Sequence, residues 1–371
     1  MTEALLKEVS HSMRGPEPSP SPQGCRWLWM RLGRTRLGRA SGIVILLLYI
    51  SALFADFLAP YGPGTQFIQR VHNPPQWLRL FDKDGMHWPF IYDCDVRISA
   101  DGLERNYVLD TRKRHPLRLF HRGEEYRLLG FIKTRLHLFG TEKIPWFPLG
   151  TDRMGRDLLS RILHGGRISL TIGLVGVLVT TVLGTLVGAI SGFYGGWADT
   201  LIQRLIELLM SFPAIPLWMA LAAALPPHWS PLGVYFGIII ILSLVGWGGL
   251  ARQIRGLVLS LRHADNILAA RSFGASDGHI ILRHLIPSCS HHLIVISTLA
   301  IPGTILAETA LSFLGLGIRP PMTSWGVLLE EAQHLRVILD YPWLLLPSVP
   351  VLLAVVSFNL FGDALKEAYS F

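Results

Sequence analysis

Three carboxylates stand inside otherwise apolar stretches of this 371-residue sequence: Asp56 in residues 43–59, Glu207 in 205–225 and Glu308 in 293–311. An ionisable group in such a setting is costly. It pairs, reaches water, or works on something that is transported. Glu207 follows Arg204 by three residues, the helical spacing of a mutual ion pair. Asp56 falls at the end of its stretch, where lipid headgroups would solvate it. Glu308 is one turn from the end of its own stretch, which predicts an interfacial carboxylate, with a gate as the alternative. Asn359 and Asp363 are the other polar candidates for a gate. No ladder of carboxylates and histidines crosses any stretch, which argues against a proton-driven carrier.

Other chemistry is thinly supported. His284, Cys289, His291 and His292 have the residue types of a metal site. Adjacent histidines point different ways on a helix, however, and Pro287 predicts a break within the cluster, so the reading is no metal. There is no His-Glu-x-x-His and no Gly-x-x-x-x-Gly-Lys-Ser/Thr, and no Gly-Lys pair occurs anywhere in the sequence. The chain therefore has no phosphate-cradling loop of its own, and no cofactor is expected on it. If ATP and magnesium are used, a separate subunit holds them. Cys25, Cys94 and Cys289 lie far apart without a Cys-x-x-Cys, which excludes a disulfide framework.

The elements that carry these residues are written for two solvents. Charged residues are 16% of the chain, against roughly 25% in soluble proteins. Six runs, 43–59, 168–190, 205–225, 232–250, 293–311 and 343–361, hold only Asp56, Glu207 and Glu308 among them. Each approaches the roughly 20 residues that cross a hydrocarbon core. The expected fold is an all-α polytopic membrane protein with six transmembrane helices. The net charge of +8 does not mark a nucleic-acid binder, because the basic residues sit between and before the runs. Seven Lys/Arg precede the first run, and its length predicts an uncleaved helix rather than a signal peptide. The positive-inside rule puts residues 1–41 in the cytoplasm as a tail, and the loop 252–292, with five arginines against two aspartates, on the same side. Both termini are then cytoplasmic.

Residues 42–60 form the first expected crossing, and 61–147 an extracytoplasmic insert. Alternation in residues 116–120 and 126–132, on either side of His121-Arg-Gly-Glu-Glu125, predicts a β hairpin there. The lobe looks too small for a core of its own and should lean on the membrane domain. Within that domain, 148–371, Gly184, Gly188 and Gly192 share one helix face and predict close helix packing. Pro213 and Pro216, and Pro347 and Pro350, predict kinks in the third and sixth helices.

The loop 252–292 reads as two short helices. The first runs over 263–273 and is stopped by Gly274. The second is N-capped by Ser276-Asp277 and runs to Pro287. Together they would make a compact knob suited to a partner's groove. Ala269-Ala270-x-x-x-Gly274, with Ala275, Ser276, Leu285 and Pro287, resembles the "EAA" loop of permease subunits of bacterial ABC importers. Leu268 stands where that motif has Glu, and His284 where it has Ile. Leu149-Gly-Thr-Asp-Arg-Met-Gly-Arg-Asp-Leu-Leu-Ser-Arg161, Ala310-Leu-Ser-Phe-Leu-Gly-Leu-Gly317 with Ser324-Trp-Gly326, and Phe358-Asn-Leu-Phe-Gly-Asp-Ala-Leu365 resemble the dipeptide/oligopeptide/nickel class. The resemblance implies an inner-membrane half-channel that works by alternating access. Its implied partners are a second permease, two cytoplasmic ATPases docked on the loop, an extracytoplasmic solute-binding protein and membrane lipid. The implied cargo is a di- or oligopeptide, with nickel or another small solute as the alternative. The rival classes are a proton-coupled carrier, which often shows inverted repeats, and an intramembrane enzyme, which needs a nucleophile or metal set. Neither feature is visible here.

Overall fold

The structure, a computed structural model, describes residues 35–369 apart from 83–84, 99–104, 129 and 143. The basic leader and Cys25 lie outside the described residues apart from Arg36 and Arg39. Helix α1, Arg36–Leu53, takes these two into its first turns, so it begins before residue 42. A short α2, Ala55–Leu58, follows it. Next comes a β segment, and then α3 (Leu158–Tyr194), α4 (Gly196–Ser211), α5 (Ala214–Ala223) and α6 (Pro231–Leu261). Two short helices, α7 (Asp265–Ser272) and α8 (Asp277–Ile280), lead through α9 (Ile286–Ser288) into α10 (Ser290–Phe313). The chain closes with α11 (Trp325–Glu330), α12 (Leu335–Asp340) and α13 (Ser348–Tyr369).

Among the described residues five helical segments are long and apolar enough to cross a membrane: α1, α3, α6, α10 and Pro342–Tyr369. The expected third crossing is instead broken. Helices α4 and α5 meet at 87° around Phe212-Pro213, because Pro213 cannot donate a backbone N–H and forces its predecessor out of the helical region. Pro347 and Pro350 do not kink a helix as expected. They flank the start of α13, where a missing N–H costs nothing.

The core of the bundle is where α3, α6 and α10 meet, through Ile172, Ile238, Leu242 and Leu311. Helix α13 and α1 pack on its other side through Phe358, Ala354 and Ala52. The α3–α6 contact is made backbone to backbone. A Cβ added to Gly184 would lie 3.0 Å from the Trp247 carbonyl oxygen. One at Gly188 would lie 2.9 Å from the Ala251 Cα, and one at Gly192 would lie 2.8 Å from the Arg255 carbonyl oxygen. Without side chains to hold them apart, the two helices gain dispersion contacts that lipid cannot offer.

Among the described residues the β segment has two antiparallel sheets. The strands β1 (Arg79–Asp82), β2 (Gly85–Ile98) and β3 (Arg105–Pro116) make one, in that order. The strands β4 (Arg118–Leu128) and β5 (Ile132–Gly140) make the other. The hairpin is real but its turn is displaced. β4 continues through His121–Glu125, and the chain reverses at Gly130 (φ 86°). Gly123 serves a different purpose: its missing side chain makes room for the His137 ring, and the register slips between Arg122 and Tyr126. The segment does lean on the helices. The buried His137 places Nδ1 2.7 Å from the Ala59 carbonyl oxygen, and a small cluster of Ile91, Leu117 and Trp146 is its own core.

The glycine contact can be tested. Gly188→Ala should destabilise the purified chain by about 1–3 kcal/mol, the usual cost of forcing a carbon into a packed interface. Gly249→Ala, whose added carbon meets nothing within 4 Å, should stay within about 0.5 kcal/mol of the parent. Equal thermal unfolding midpoints for the two variants in detergent would contradict the packing.

Candidate functional site

The loop between α6 and α10 folds as a knob with a buried base and a bare tip. Ile267, Ile280, Ile281 and Leu285 are buried against Ala189 and Phe193 of α3 and Leu250, Ile254 and Val258 of α6. Helix α7 ends in paired capping bonds, from Ala275 N to the Ala270 carbonyl (3.1 Å) and from Gly274 N to the Arg271 carbonyl (3.0 Å). That geometry needs a left-handed residue at Gly274, whose φ is 79°. Ala269 and Gly274 are exposed, Ala270 and Ala275 partly so. Ser276 takes the extended N-cap conformation, but its hydroxyl makes no capping bond.

Pro287 does not break the second helix. A π turn over Ile281–Leu285 widens the ladder just before it, which accommodates a residue with no N–H to give. The winding continues to Ser288 and pauses at Cys289. The neighbouring His/Cys group is dispersed: the His291 ring packs on Tyr369, His292 faces the Gln253 side-chain oxygen at 3.2 Å, and Cys289 is buried. Among the described residues no three His, Cys, Asp or Glu side chains converge on a common point. Gly274-Ala-Ser276-Asp-Gly278 also spells the Gly-x-Ser-x-Gly pattern of hydrolases. Here a helix precedes the serine, where a nucleophile elbow needs a strand.

Sequence reasoning missed the most exposed apolar side chain of the knob. Phe273 is 92% exposed at its tip, with Leu268 and Leu282 also open to solvent. A bulky aromatic directly before a helix-ending glycine was the available signal.

The polar groups inside the helices are arranged differently from expectation. Glu308, near the end of α10, is not open to solvent. It is fully buried, accepting hydrogen bonds from the hydroxyls of Ser169 on α3 (3.0 Å) and Ser312 on α10 (2.7 Å), with Ser324 beside it. Ser169 in turn accepts the Trp325 backbone N–H (3.1 Å), so the carboxyl ties α11 to the bundle. Asn359 and Asp363 are exposed on α13 and are not brought to Glu308. Gly362 packs on Leu299, which puts both residues roughly two to three helical turns away from the level of Glu308. Asp56 is not left to headgroups: Arg167 donates to it at 2.6 Å and the His164 ring approaches at 3.0 Å, tying α2 to α3. Arg204 and Glu207 do form an ion pair, at 2.7 Å.

At the opposite end of α3 from the knob, Gly150–Arg161 forms a buried charged knot. Asp152 accepts from Met154 N (2.8 Å), Arg156 N (2.9 Å) and Arg156 Nε (2.6 Å), and pairs with the buried Arg161. Glu331 accepts from the same Arg161 Nη1 (3.2 Å) and from Arg156 Nη2 (3.4 Å). Asp157 caps α3, its Oδ2 accepting from Ser160 N (2.8 Å) and Ser160 Oγ (2.6 Å). Gly155, at φ 71°, lies against the Phe67 backbone with no room for a side chain. The knot clamps α3 to the segment after α11.

Residues 184–370, half of the chain, match the family model of binding-protein-dependent transport system inner membrane components. The chain belongs to this family. Residues 26–75 match the model of the N-terminal transmembrane domain of oligopeptide transport permease C. The chain is 38% identical over 342 residues to the dipeptide transport system permease protein DppC of Bacillus subtilis (strain 168), covering 92% of this chain and 83% of the relative. It is 38% identical over 226 residues to a putative peptide permease protein of Brucella suis biovar 1, covering 60% and 72%. It is 42% identical over 221 residues to the oligopeptide transport system permease protein OppC of Haemophilus influenzae, covering 59% and 68%. The Bacillus match is too long to skip the β segment. This inner-membrane component therefore shares more than its helical core with that relative.

The knot supplies a pH test of this family member. Burial pushes Asp157 up to about 7, against two bonds from Ser160 that favour the ion, and its Oδ1 has no partner. The folded chain thus holds a proton that the unfolded chain releases near 3.8. Stability from this group is complete below about pH 4 and is lost as the pH rises through 7. Asp157→Asn keeps the neutral cap at every pH. Thermal melts in detergent should show the parent losing ground to the variant between pH 4.5 and 7.5; a constant difference would mean the carboxyl is ionised throughout.

Proposed function

We propose that this chain is the permease subunit of an ATP-driven importer that carries di- or oligopeptides across the bacterial inner membrane by alternating access. The names of its relatives support the cargo: dipeptide, oligopeptide and glutathione permeases stand among them. Nickel has no comparable support. In this reading the bent α4–α5 pair is a sixth crossing, the β segment lies outside the cell, and both termini face the cytoplasm. The chain is half of a channel whose other half is a second permease. A solute-binding protein delivers peptide from outside, and two cytoplasmic ATPases, which hold the ATP and magnesium, drive the cycle.

The observation that carries the reading is the knob. Its base is fixed in the same apolar cluster that joins α3 to α6, so a push on the knob moves both helices as one body. Its tip offers Phe273, Leu268 and small Ala269 to a partner. Among the described residues nothing covers that apolar tip. An ATPase cleft would, because burying an aromatic ring of this size dominates the energetics of such a contact. The Leu268 that replaces the motif's Glu adds apolar surface to the same face.

Orientation and coupling have separate tests. A reporter active only outside the cytoplasm should work when fused after Glu124 and stay silent after Ser276; the reverse pattern would invert the topology. Gly274→Val forces a β-branched residue to φ 79°, where nothing but backbone strain opposes it. Insertion into the membrane should persist, while co-purification of the ATPases and peptide uptake fall at least tenfold. Gly278→Ala, in equally open space, should assemble and transport normally. Normal uptake by Gly274→Val would reduce the knob to a connector.

A further inference from the structure

The β4–β5 hairpin is held where the first membrane helix ends. Arg167, the residue before the apolar run 168–190, donates to Asp56 near the end of the run 43–59. The two runs therefore reach the edge of the hydrocarbon together. The chain then rises, and Tyr61 N donates to Ser160 Oγ (3.2 Å), about two turns of α3 beyond Arg167. Three points of the hairpin are placed against residues 56–59. The Phe120 ring packs on Phe57, with centroids 6.4 Å apart, and His137 Nδ1 lies 2.7 Å from the Ala59 carbonyl oxygen. Nearer the turn, burial and then the Asp56 charge raise the Tyr126 hydroxyl above its ordinary range. The point nearest the turn thus faces the innermost of the three residues, so the hairpin crosses this level instead of climbing away from it. The headgroup layer there is roughly 5–7 Å deep.

The side of the hairpin turned to that layer is cationic. Alternation along β5 puts Lys133, Arg135 and His137 on one side, and His137 is the residue that meets Ala59. Arg127 stands directly opposite Lys133, on the same side. Like charges in that position repel each other. The neighbouring carboxylates are already engaged. Glu125 pairs with Arg135 (2.9 Å), and Glu124 accepts from Gly62 N (3.2 Å) and the Thr65 hydroxyl (2.8 Å). Arg122, Arg127 and Lys133 have no ion pair or side-chain hydrogen bond among the described residues. A hollow of about 660 Å³ opens at the register slip, and Arg122, Glu125, Lys133 and Arg135 line it.

Toward the hydrocarbon the surface turns apolar. Leu53 at the end of α1, and Leu119 and Phe120 at the start of β4, are each more than half exposed. Uncommitted cations beside an exposed apolar skirt, at the edge of the membrane, match a phospholipid. Free phosphate or an acidic protein would take the charges and leave Leu119 and Phe120 uncovered.

We propose that this side of the hairpin binds an anionic phospholipid of the leaflet opposite the knob, its phosphate held by Arg122, Arg127 and Lys133 and its chains lying over Phe120. The phosphate supplies the counter-charge that the Arg127–Lys133 pair lacks, with guanidinium donors shaped for it. The lipid then fastens the β segment to the membrane at a second place, beside its contact with Ala59. The assignment needs only that the chain is embedded in a membrane, and holds whatever the cargo.

The test uses the full chain, purified with its second permease and ATPases, in nanodiscs of equal parts phosphatidylglycerol and phosphatidylcholine. The photoreactive residue p-benzoylphenylalanine replaces Phe120 in one sample and Phe131, two residues before Lys133, in another. After illumination, mass spectrometry should find the phosphatidylglycerol adduct at least fivefold over the phosphatidylcholine adduct at both positions. The combined change Arg122→Gln, Arg127→Gln and Lys133→Gln should bring the ratio below twofold, while Lys133→Arg should keep it. If the triple variant does not assemble, Lys133→Gln alone should at least halve the ratio. No lipid adduct at position 131, equal adducts of the two lipids, or a preference that survives loss of the charges would overturn the assignment. A preference abolished by excess inorganic phosphate would give the site to soluble phosphate. Loss of both adducts on adding the solute-binding protein would give it to that protein, and either result rejects the lipid.

Discussion

The bundle depends on two backbones being allowed to touch. Gly184, Gly188 and Gly192 bring α3 within direct contact of α6 over three turns, which in lipid is one of the few sources of attraction between helices. The knob and α4 are both hung on that pair. The base of the knob is buried where α3 and α6 end together, and α4 is fixed alongside α6 by Asp199 and Ile206. A helix pair that could slide would leave neither at a defined place.

The far end of α3 is fixed by charge instead of by packing. Asp152 and Arg161 are buried and paired with each other and with the partly buried Arg156 and Glu331, and Asp157 holds the first turn. Removing one partner from such a group leaves its neighbours uncompensated, so the knot is specific rather than merely adhesive. Helix α3 is thus clamped at one end by ions and at the other by aliphatic side chains. Its 37 residues, about 55 Å at 1.5 Å each, join the two.

Local signals were legible in the sequence, and distant ones were not. The apolar runs, the glycine face and the left-handed Gly274 follow from spacings of a few residues, and the structure has them. The companions of Glu308 and Asp56 do not. Ser169 is 139 residues from Glu308, and Arg167 is 111 from Asp56, so each carboxylate read alone seemed to need water. The long strand β2 has weak alternation because residues 88–94 form a nearly continuous apolar block, and its partner β3 is largely charged and polar. The turn of the β4–β5 hairpin was misplaced because Gly123, read as a bend, is a clearance for His137.

The π turn at Ile281–Leu285 has a mechanical side. A wide turn stores one residue more than the α-helix around it. Tightening it would pass that residue along the axis as a rotation of about 100° with a rise of about 1.5 Å. The turn lies between the tip carrying Phe273 and the root of α10, whose far end holds Glu308. A change in the winding of this turn would therefore alter the rotation and spacing between the exposed Phe273 and the start of α10.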